Sequence, residues 1–111
     1  MKYNIFTTVD FESNFKRLSK KYSSMADDYE ILIKDLIVNP KIGNDLGNNT
    51  RKIRMAISSK NKGKSGGVIT CALVIDVINT EIYLLTIYDK SEKKSISKKE
   101  IQQLKILYGL N

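Results

Sequence analysis

The chain has 111 residues, 41% of them hydrophobic, which suits one domain over residues 1–111 with a modest core. It contains no histidine and no tryptophan, and Cys71 is its single cysteine. These absences exclude a Ser-His-Asp or Cys-His nucleophile, a paired-histidine ribonuclease, a histidine-ligated zinc site and an intrachain disulfide. The sequence has no apolar run near the ~20 residues of a membrane span and no signal-peptide core. It therefore predicts a cytoplasmic protein, and nothing in it calls for a cofactor.

The positive charge is concentrated in one stretch of the chain. The formal net charge is +7, from 19 basic and 12 acidic side chains. Residues 51–67 contain no acid and six bases, which are Arg51, Lys52, Arg54, Lys60, Lys62 and Lys64. A local, unopposed cluster of this kind is typical of phosphate binding. The alternative is a solvated lysine-rich loop, although solubilising surfaces usually mix both signs of charge.

The first half of the chain predicts a short strand followed by two helices. Residues 3–7 read as the strand. Helical spacing over about 9–21 is carried by Phe11, Phe15, Leu18 and Tyr22. A second stripe consists of Met25, Tyr29, Leu32 and Leu36. We expect this helix to begin after Ser24, in a capping arrangement with Asp27, and to end at Asn39-Pro40. The short connection predicts an antiparallel helical hairpin.

The second half predicts three strands and a final helix. Residues 40–49 read as a turn-rich loop. Residues 51–58 alternate, with Ile53 on one face and Lys52 and Arg54 on the other. Residues 68–76 and 82–88 read as central strands, joined by a turn at Asn79-Thr80. The capping box Ser97-Lys98-Lys99-Glu100 opens a short helix with Ile101, Leu104 and Tyr108 facing inward.

The element order is therefore β-α-α-β-β-β-α, an α+β fold. We expect the helical hairpin to pack on one face of a small, mostly antiparallel sheet and to leave the other face open. Arg54 points away from the helices. Strict alternation on the last strand places Tyr88 with Thr86 on the open face, and Tyr83, Leu85 and Ile87 on the opposite face. One open face would then carry both Arg54 and Tyr88.

Four segments taken together carry a family resemblance. They are residues 39–43 (NPKIG), 51–54 (RKIR), 59–67 (SKNKGKSGG) and 83–92 (YLLTIYDKSE). The combination resembles the HigB branch of the RelE/ParE toxin superfamily. The resemblance implies a toxin of a bacterial type II toxin–antitoxin module. In RelE and HigB members the toxin enters the ribosomal A site and cleaves messenger RNA, and an antitoxin, usually a helix-turn-helix protein in this branch, silences it.

One position departs from that family's pattern. Relatives commonly read Gly-Gly-x-Arg before an apolar strand, and that arginine belongs to their active site. Here Gly66-Gly67 leads into Val68-Ile69-Thr70, with no arginine. Either a short deletion has removed the arginine or the site is built without it.

Cleavage of RNA without metal or histidine proceeds by attack of a 2′-hydroxyl on the adjacent phosphate. The reaction needs a base, positive charge on the developing phosphorane and a proton donor. Arginine stays protonated, which favours Arg54 as the phosphate stabiliser. Neighbouring cations lower the pKa of a lysine, which makes it a better base. Tyr88 can stack on a base of the RNA or donate a hydrogen bond. The predicted catalytic set is Arg54, Lys64, Tyr88 and Lys90, and the predicted RNA contacts are Arg51, Lys52, Lys60 and Lys62.

Each of these residues also has a purely structural interpretation. Tyr88 can be an aromatic residue at a strand end, and Arg54 can hold an antitoxin carboxylate or a local ion pair. Lys90 can be a turn residue paired with Glu92, and Cys71 reads as a small buried hydrophobe. For the whole chain, the alternatives are a non-nuclease toxin that inhibits gyrase, as ParE-like members do, or a catalytically degenerate member. On charge grounds we expect an acidic or amphipathic antitoxin segment across the open face.

Overall fold

The computed structural model describes residues 2–59, 67–93 and 95–110. In chain order the elements are β1 (Asn4–Thr7), α1 (Val9–Lys21), α2 (Met25–Val38), β2 (Asn44–Gly47), β3 (Thr50–Ala56), β4 (Val68–Asp76), β5 (Glu81–Tyr88) and α3 (Lys98–Leu107). The strands form one sheet in the order β1-β5-β4-β3-β2. Only β1 and β5 pair in parallel among these neighbours. The predicted α+β class and the mostly antiparallel sheet are confirmed.

The helices α1 and α2 pack on one face of the sheet, α1 over β5 and α2 over β3. The core beneath them contains the predicted stripes, with Phe11, Leu18, Met25, Leu32 and Leu36 buried. Thr8 fixes the start of α1, because its hydroxyl accepts from the Phe11 N–H and donates to the Leu85 carbonyl. Ser24 is the N-cap residue of α2 and Asp27 lies in its first turn, as predicted. The Ser24 side chain makes no capping hydrogen bond, however, and instead donates to Asp28.

The opposite face of the sheet is covered in part, which corrects the expectation of an open face. The helix α3 and the segment before it pack there through a second core of Val74, Leu85, Tyr88, Ile96 and Ile101. The predicted capping box is present, with both Ser97–Glu100 hydrogen bonds formed. The sequence showed α3 as amphipathic but gave no sign of which surface its apolar stripe would bury. We call the side of the sheet that it covers the α3 face.

The segment 40–49, predicted as a loop, contains the short strand β2. It pairs with β3, with an irregular register between Asp45 and Gly47. Its four residues carry no hydrophobic alternation, which is why periodicity did not reveal it. The chain enters β2 through Gly43, which has a φ of +87°.

The pairing of β4 with β5 contains a bulge that changes which side chains share a face. Ala72 pairs with Thr86, whereas Leu73 pairs with Leu84, so Leu85 is the extra residue. Strict alternation therefore fails at this point. Leu84 and Ile87 both join the core under α1 and α2, whereas Leu85 and Tyr88 belong to the core under α3. Tyr83, opposite Val74, also lies on the α3 face, so the predicted grouping of Tyr83 and Leu85 with Ile87 is wrong.

We predict that alanine is tolerated far less well at Gly43 than at Gly47. A Cβ at Gly43 would lie 2.6 Å from the Lys52 carbonyl oxygen and 2.7 Å from Ile53 Cγ1, whereas at Gly47 nothing lies within 4 Å. Both glycines have positive φ, so the matched pair isolates the clash. Gly43→Ala should lower the free energy of unfolding by about 3 kcal/mol or more, and Gly47→Ala by about 1 kcal/mol. Urea denaturation measures both, and equal losses would contradict the proposed clash.

Candidate nucleic-acid interface

Arg54 and Tyr88 lie in one cross-strand row of the sheet. On β4, Thr70 pairs with Arg54 of β3 on one side and with Tyr88 of β5 on the other. Directly paired side chains share a face, so all three belong to the α3 face. The backbones of Arg54 and Tyr88 are two strand spacings apart, about 10 Å. Lys52 precedes Arg54 on the same face, opposite Ala72.

The accessibility of these side chains differs sharply. Arg54 is exposed and Lys52 is partly exposed, whereas Thr70 is only 2% and Tyr88 only 5% exposed. Within the described part of the chain, neither cation has an acidic partner within ion-pair distance. The Tyr88 hydroxyl is buried and, among the described residues, has no hydrogen-bond partner. The solvent-exposed part of this row is therefore cationic, whereas the Tyr88 phenol lies beneath the cover provided by α3.

Arg51, predicted as an RNA contact, points to the other face of β3. Its guanidinium donates to the carbonyls of Ile42 (3.1 Å) and Gly43 (2.9 Å) and lies 3.7 Å from Asp45. These contacts tie the segment before β2 to β3. The structure does not bring Arg51 together with Lys52 and Arg54.

The other predicted lysines fall in two places. Lys60, Lys62 and Lys64 lie outside the described residues. Lys90 is exposed in the turn after β5. Glu92, its expected structural partner, instead bonds Arg17 at 2.7 Å and Lys21 at 3.4 Å. The Arg17 hydrogen bond, reinforced by Lys21, lowers the pKa of Glu92.

A buried carboxylate, Asp89, holds the turn between Tyr88 and Lys90. It is 0% exposed, accepts from the Tyr22 hydroxyl at 2.5 Å and from the Ser91 N–H at 2.9 Å, and lies 3.7 Å from the Lys21 ammonium. Together with the Glu92 ion pairs, these bonds join the end of α1 to this turn. Asp89 was missed from the sequence because an acid in a turn usually faces solvent; the only signal was its place next to a largely apolar strand.

A groove of about 660 Å³ borders Tyr88 between α1, the end of β5 and α3. Its polar lining mixes both signs of charge, with Asp10, Asn14, Arg17, Glu92, Lys93 and Glu100. The Arg17–Glu92 and Lys93–Glu100 pairs are formed within it. The groove is therefore less suited to a polyanion than the exposed cations of β3.

The single cysteine of the chain has a structural role. Burial raises the pKa of the Cys71 thiol to about 12, which agrees with the predicted small buried hydrophobe and not with a nucleophile. No group of three or more potential metal ligands occurs in the described ranges. No helix within those ranges is long and apolar enough to cross a membrane.

The comparison with known proteins identifies the fold. No family model matches the sequence. A solved structure of the E. coli toxin RelE, a double arginine-to-alanine mutant in the free state, is similar with a TM-score of 0.60. The alignment covers 85% of this chain and 90% of that chain at 12% sequence identity. The protein therefore has a RelE-like fold, and at this identity the likeness concerns the fold alone.

We predict that Tyr22→Phe destabilises the protein through the buried Asp89 carboxylate. Loss of the hydroxyl removes a hydrogen bond to a charged, buried acceptor, which should cost about 1–3 kcal/mol of unfolding free energy. Tyr29→Phe is the matched control, because within the described structure the half-buried Tyr29 hydroxyl has no hydrogen bond. Chemical denaturation of both variants gives the difference. Equal stabilities would show that the Tyr22–Asp89 bond contributes nothing net.

Proposed function

We propose that the protein is the toxin of a type II toxin–antitoxin module and an endoribonuclease that cleaves messenger RNA on the ribosome. One observation carries the proposal: Arg54 and Tyr88 share a cross-strand row, with Lys52 beside Arg54 on the same face. The RelE-like fold and the local excess of basic residues in the sequence support it. The proposed partners are a ribosome carrying mRNA and a cognate antitoxin of the helix-turn-helix type.

The proposed reaction needs no metal: a base takes the proton of the 2′-hydroxyl, whose oxygen attacks its own 3′-phosphate. The bond from phosphorus to the 5′-oxygen of the next nucleotide breaks, and that oxygen takes a proton, so the products are a 2′,3′-cyclic phosphate and a 5′-hydroxyl. Arg54 stabilises the charge that develops on the phosphorane, since its guanidinium stays protonated and exposed. Tyr88 supplies a hydroxyl that can donate a hydrogen bond to the RNA. Among the described residues this hydroxyl has no hydrogen-bond partner that the RNA would first have to displace. Lys90, in the turn fixed by Asp89, and Lys64 are the candidate proton-transfer groups. Lys52, Lys60 and Lys62 bind the flanking phosphates, and Arg51 is left out because its donors are occupied within its own chain.

The family's missing arginine does not remove the cation from this face. Counted directly from Gly66-Gly67, the arginine would fall on Ile69, which is fully buried in the core under α1 and α2. On the α3 face the corresponding row is occupied by Thr70. The proposed site is thus built on Arg54 in place of that arginine.

A catalytically degenerate member of the superfamily is the second candidate. The observation that favours it is the burial of Tyr88, only 5% exposed beneath the α3 core. Such a protein would bind its antitoxin or the ribosome through the same face without cleaving RNA.

We predict that Arg54→Ala and Tyr88→Phe both reduce cleavage of mRNA in a reconstituted translation reaction. The arginine variant should lose about 100-fold or more, the usual effect of removing a donor that stabilises an oxyanion. Tyr88→Phe should leave stability unchanged or slightly higher, because it deletes a hydroxyl without a partner in the described structure. Lys20→Ala, an exposed cation on α1, is the control and should cleave like wild type.

Mapping of new RNA 3′ ends decides between the candidates. Full activity in both site variants would show that the site is wrong. A wild-type protein that binds antitoxin but leaves mRNA intact selects the degenerate member. DNA breaks with intact messages would select a gyrase inhibitor.

A further inference from the structure

A second polar pocket, of about 150 Å³, lies between α3 and the turn that joins β2 to β3. Its polar lining is Asn48, Thr50, Lys98, Gln102 and Lys105. No acidic residue is among the described residues that line it. The chemistry of the lining is therefore that of ammonium groups, amides and a hydroxyl, and it favours an anionic ligand.

Lys105 is a buried cation at the wall of this pocket. It is 2% exposed, and its ammonium donates to the Asn48 carbonyl at 2.9 Å and to the Thr50 hydroxyl at 3.1 Å. Both acceptors are neutral, and among the described residues no carboxylate lies within ion-pair distance. Burial lowers the pKa of Lys105, because the charged form has lost water without gaining a counter-charge. An ammonium has three donors, so one remains after these two bonds.

The volume of the pocket fits a small oxyanion. It corresponds to about five water molecules at ~30 Å³ each, which is enough for the five heavy atoms of a phosphate group. An anion beside Lys105 would supply the missing counter-charge, with Lys98 at the first turn of α3 as a second cation.

The pocket continues the cationic edge of the candidate interface. Thr50, Lys52 and Arg54 are alternate residues of β3 and pair with Val74, Ala72 and Thr70 on the α3 face. Alternate residues of a strand are about 6.8 Å apart, close to the repeat of an extended ribose–phosphate chain. The exposed cations of β3 therefore lead from Arg54 to Thr50, which bonds Lys105. Single-stranded RNA is commonly bound by positively charged side chains that follow its backbone.

We propose that this pocket is a phosphate-binding subsite for single-stranded RNA, in which Lys105 and Lys98 hold a backbone phosphate about two nucleotides from the one at Arg54. The inference rests on the proposed function, since it assigns the RNA strand a path along β3. It adds a contact formed by α3, an element outside the cationic segment of the sequence.

The salt dependence of RNA binding tests the subsite directly. Binding of a short oligoribonucleotide to the full chain is measured from low to moderate KCl, without ribosomes. Lys98→Gln and Lys105→Met should each weaken binding and reduce the slope of log K against log[salt] by about 0.7, the value for one phosphate contact on a single strand. Lys34→Gln, which removes an exposed lysine of α2, is the matched control and should keep the wild-type slope. Wild-type slopes in both pocket variants would overturn the proposal.

Lys105→Met alters a buried position and can weaken binding by disturbing the fold, whereas Lys98→Gln changes an exposed residue. Titration of the wild-type protein with inorganic phosphate therefore provides a second measurement, which needs no variant. Titration of phosphate into the isotope-labelled protein should shift the amide signals of Asn48 and of the first turn of α3. Oligoribonucleotide should compete for the same shifts. Shifts without competition would overturn the assignment to RNA, as would loss of antitoxin binding in Lys98→Gln at an unchanged RNA slope.

Failure of the subsite and failure of the proposed function give different results. The subsite is tested by binding alone, so a wild-type protein that binds RNA with the expected slopes but cuts no mRNA contradicts only the nuclease proposal. A protein that cuts mRNA while both pocket variants keep the wild-type slope contradicts only the subsite.

Discussion

The candidate interface depends on the bulge at Leu85. Up to Leu84, the even-numbered residues of β5 face α1 and α2; beyond the bulge, Thr86 and Tyr88 face α3. Without the extra residue, Tyr88 would share its face with Leu84 and would be separated from Arg54 by the sheet. The bulge also brings Leu85 into the core under α3. One irregular pairing therefore provides both an aromatic residue in the cationic row and part of the apolar surface that covers it.

The cover provided by α3 gives the interface two different halves. On β3 the cations Lys52 and Arg54 reach solvent, whereas on β4 and β5 the side chains of Thr70 and Tyr88 are buried. A phosphate can approach the first half directly. Under the proposed function, the Tyr88 phenol can act only where RNA or a partner reaches beneath the segment that precedes α3. For this reason the burial of Tyr88 supports the degenerate alternative. Its hydroxyl is the group in the site whose removal best separates the two candidate functions.

Polar contacts, in addition to apolar packing, hold the elements around the site. Asp89 joins the turn after β5 to α1 through Tyr22, and Lys105 joins α3 to the β2–β3 turn through Asn48. The Tyr108 hydroxyl accepts from the Asp10 N–H and holds the end of α3 at the start of α1. An unpaired buried polar group costs free energy, so these contacts fix orientations that apolar packing leaves free.

The fold is similar to that of RelE at 12% identity for the same physical reason that the sequence predicted most of the elements. Burial at regular intervals requires only that apolar residues recur, so many sequences satisfy one fold. The chemistry of a site requires particular groups, and in this chain Thr70 of β4 lies between Arg54 and Tyr88. Similarity of fold therefore does not by itself define the activity, and the proposed activity depends on Arg54, Lys52 and Tyr88.

The sequence by itself determined the elements whose patterns are local. It predicted α1, α2, α3 and four of the five strands of the described sheet, together with the capping box at Ser97 and the common face of Lys52 and Arg54. Periodicity and capping involve residues close in the chain, which is why these features could be predicted. Only the tertiary structure decided which surface α3 covers, that the Arg51 guanidinium bonds the carbonyls before β2, and that Asp89 and Lys105 are buried. Each of these depends on residues far apart in sequence, and the bulge that moves Leu85 depends on how β5 pairs with β4. No local pattern contains that information, because burial and register are properties of the assembled sheet.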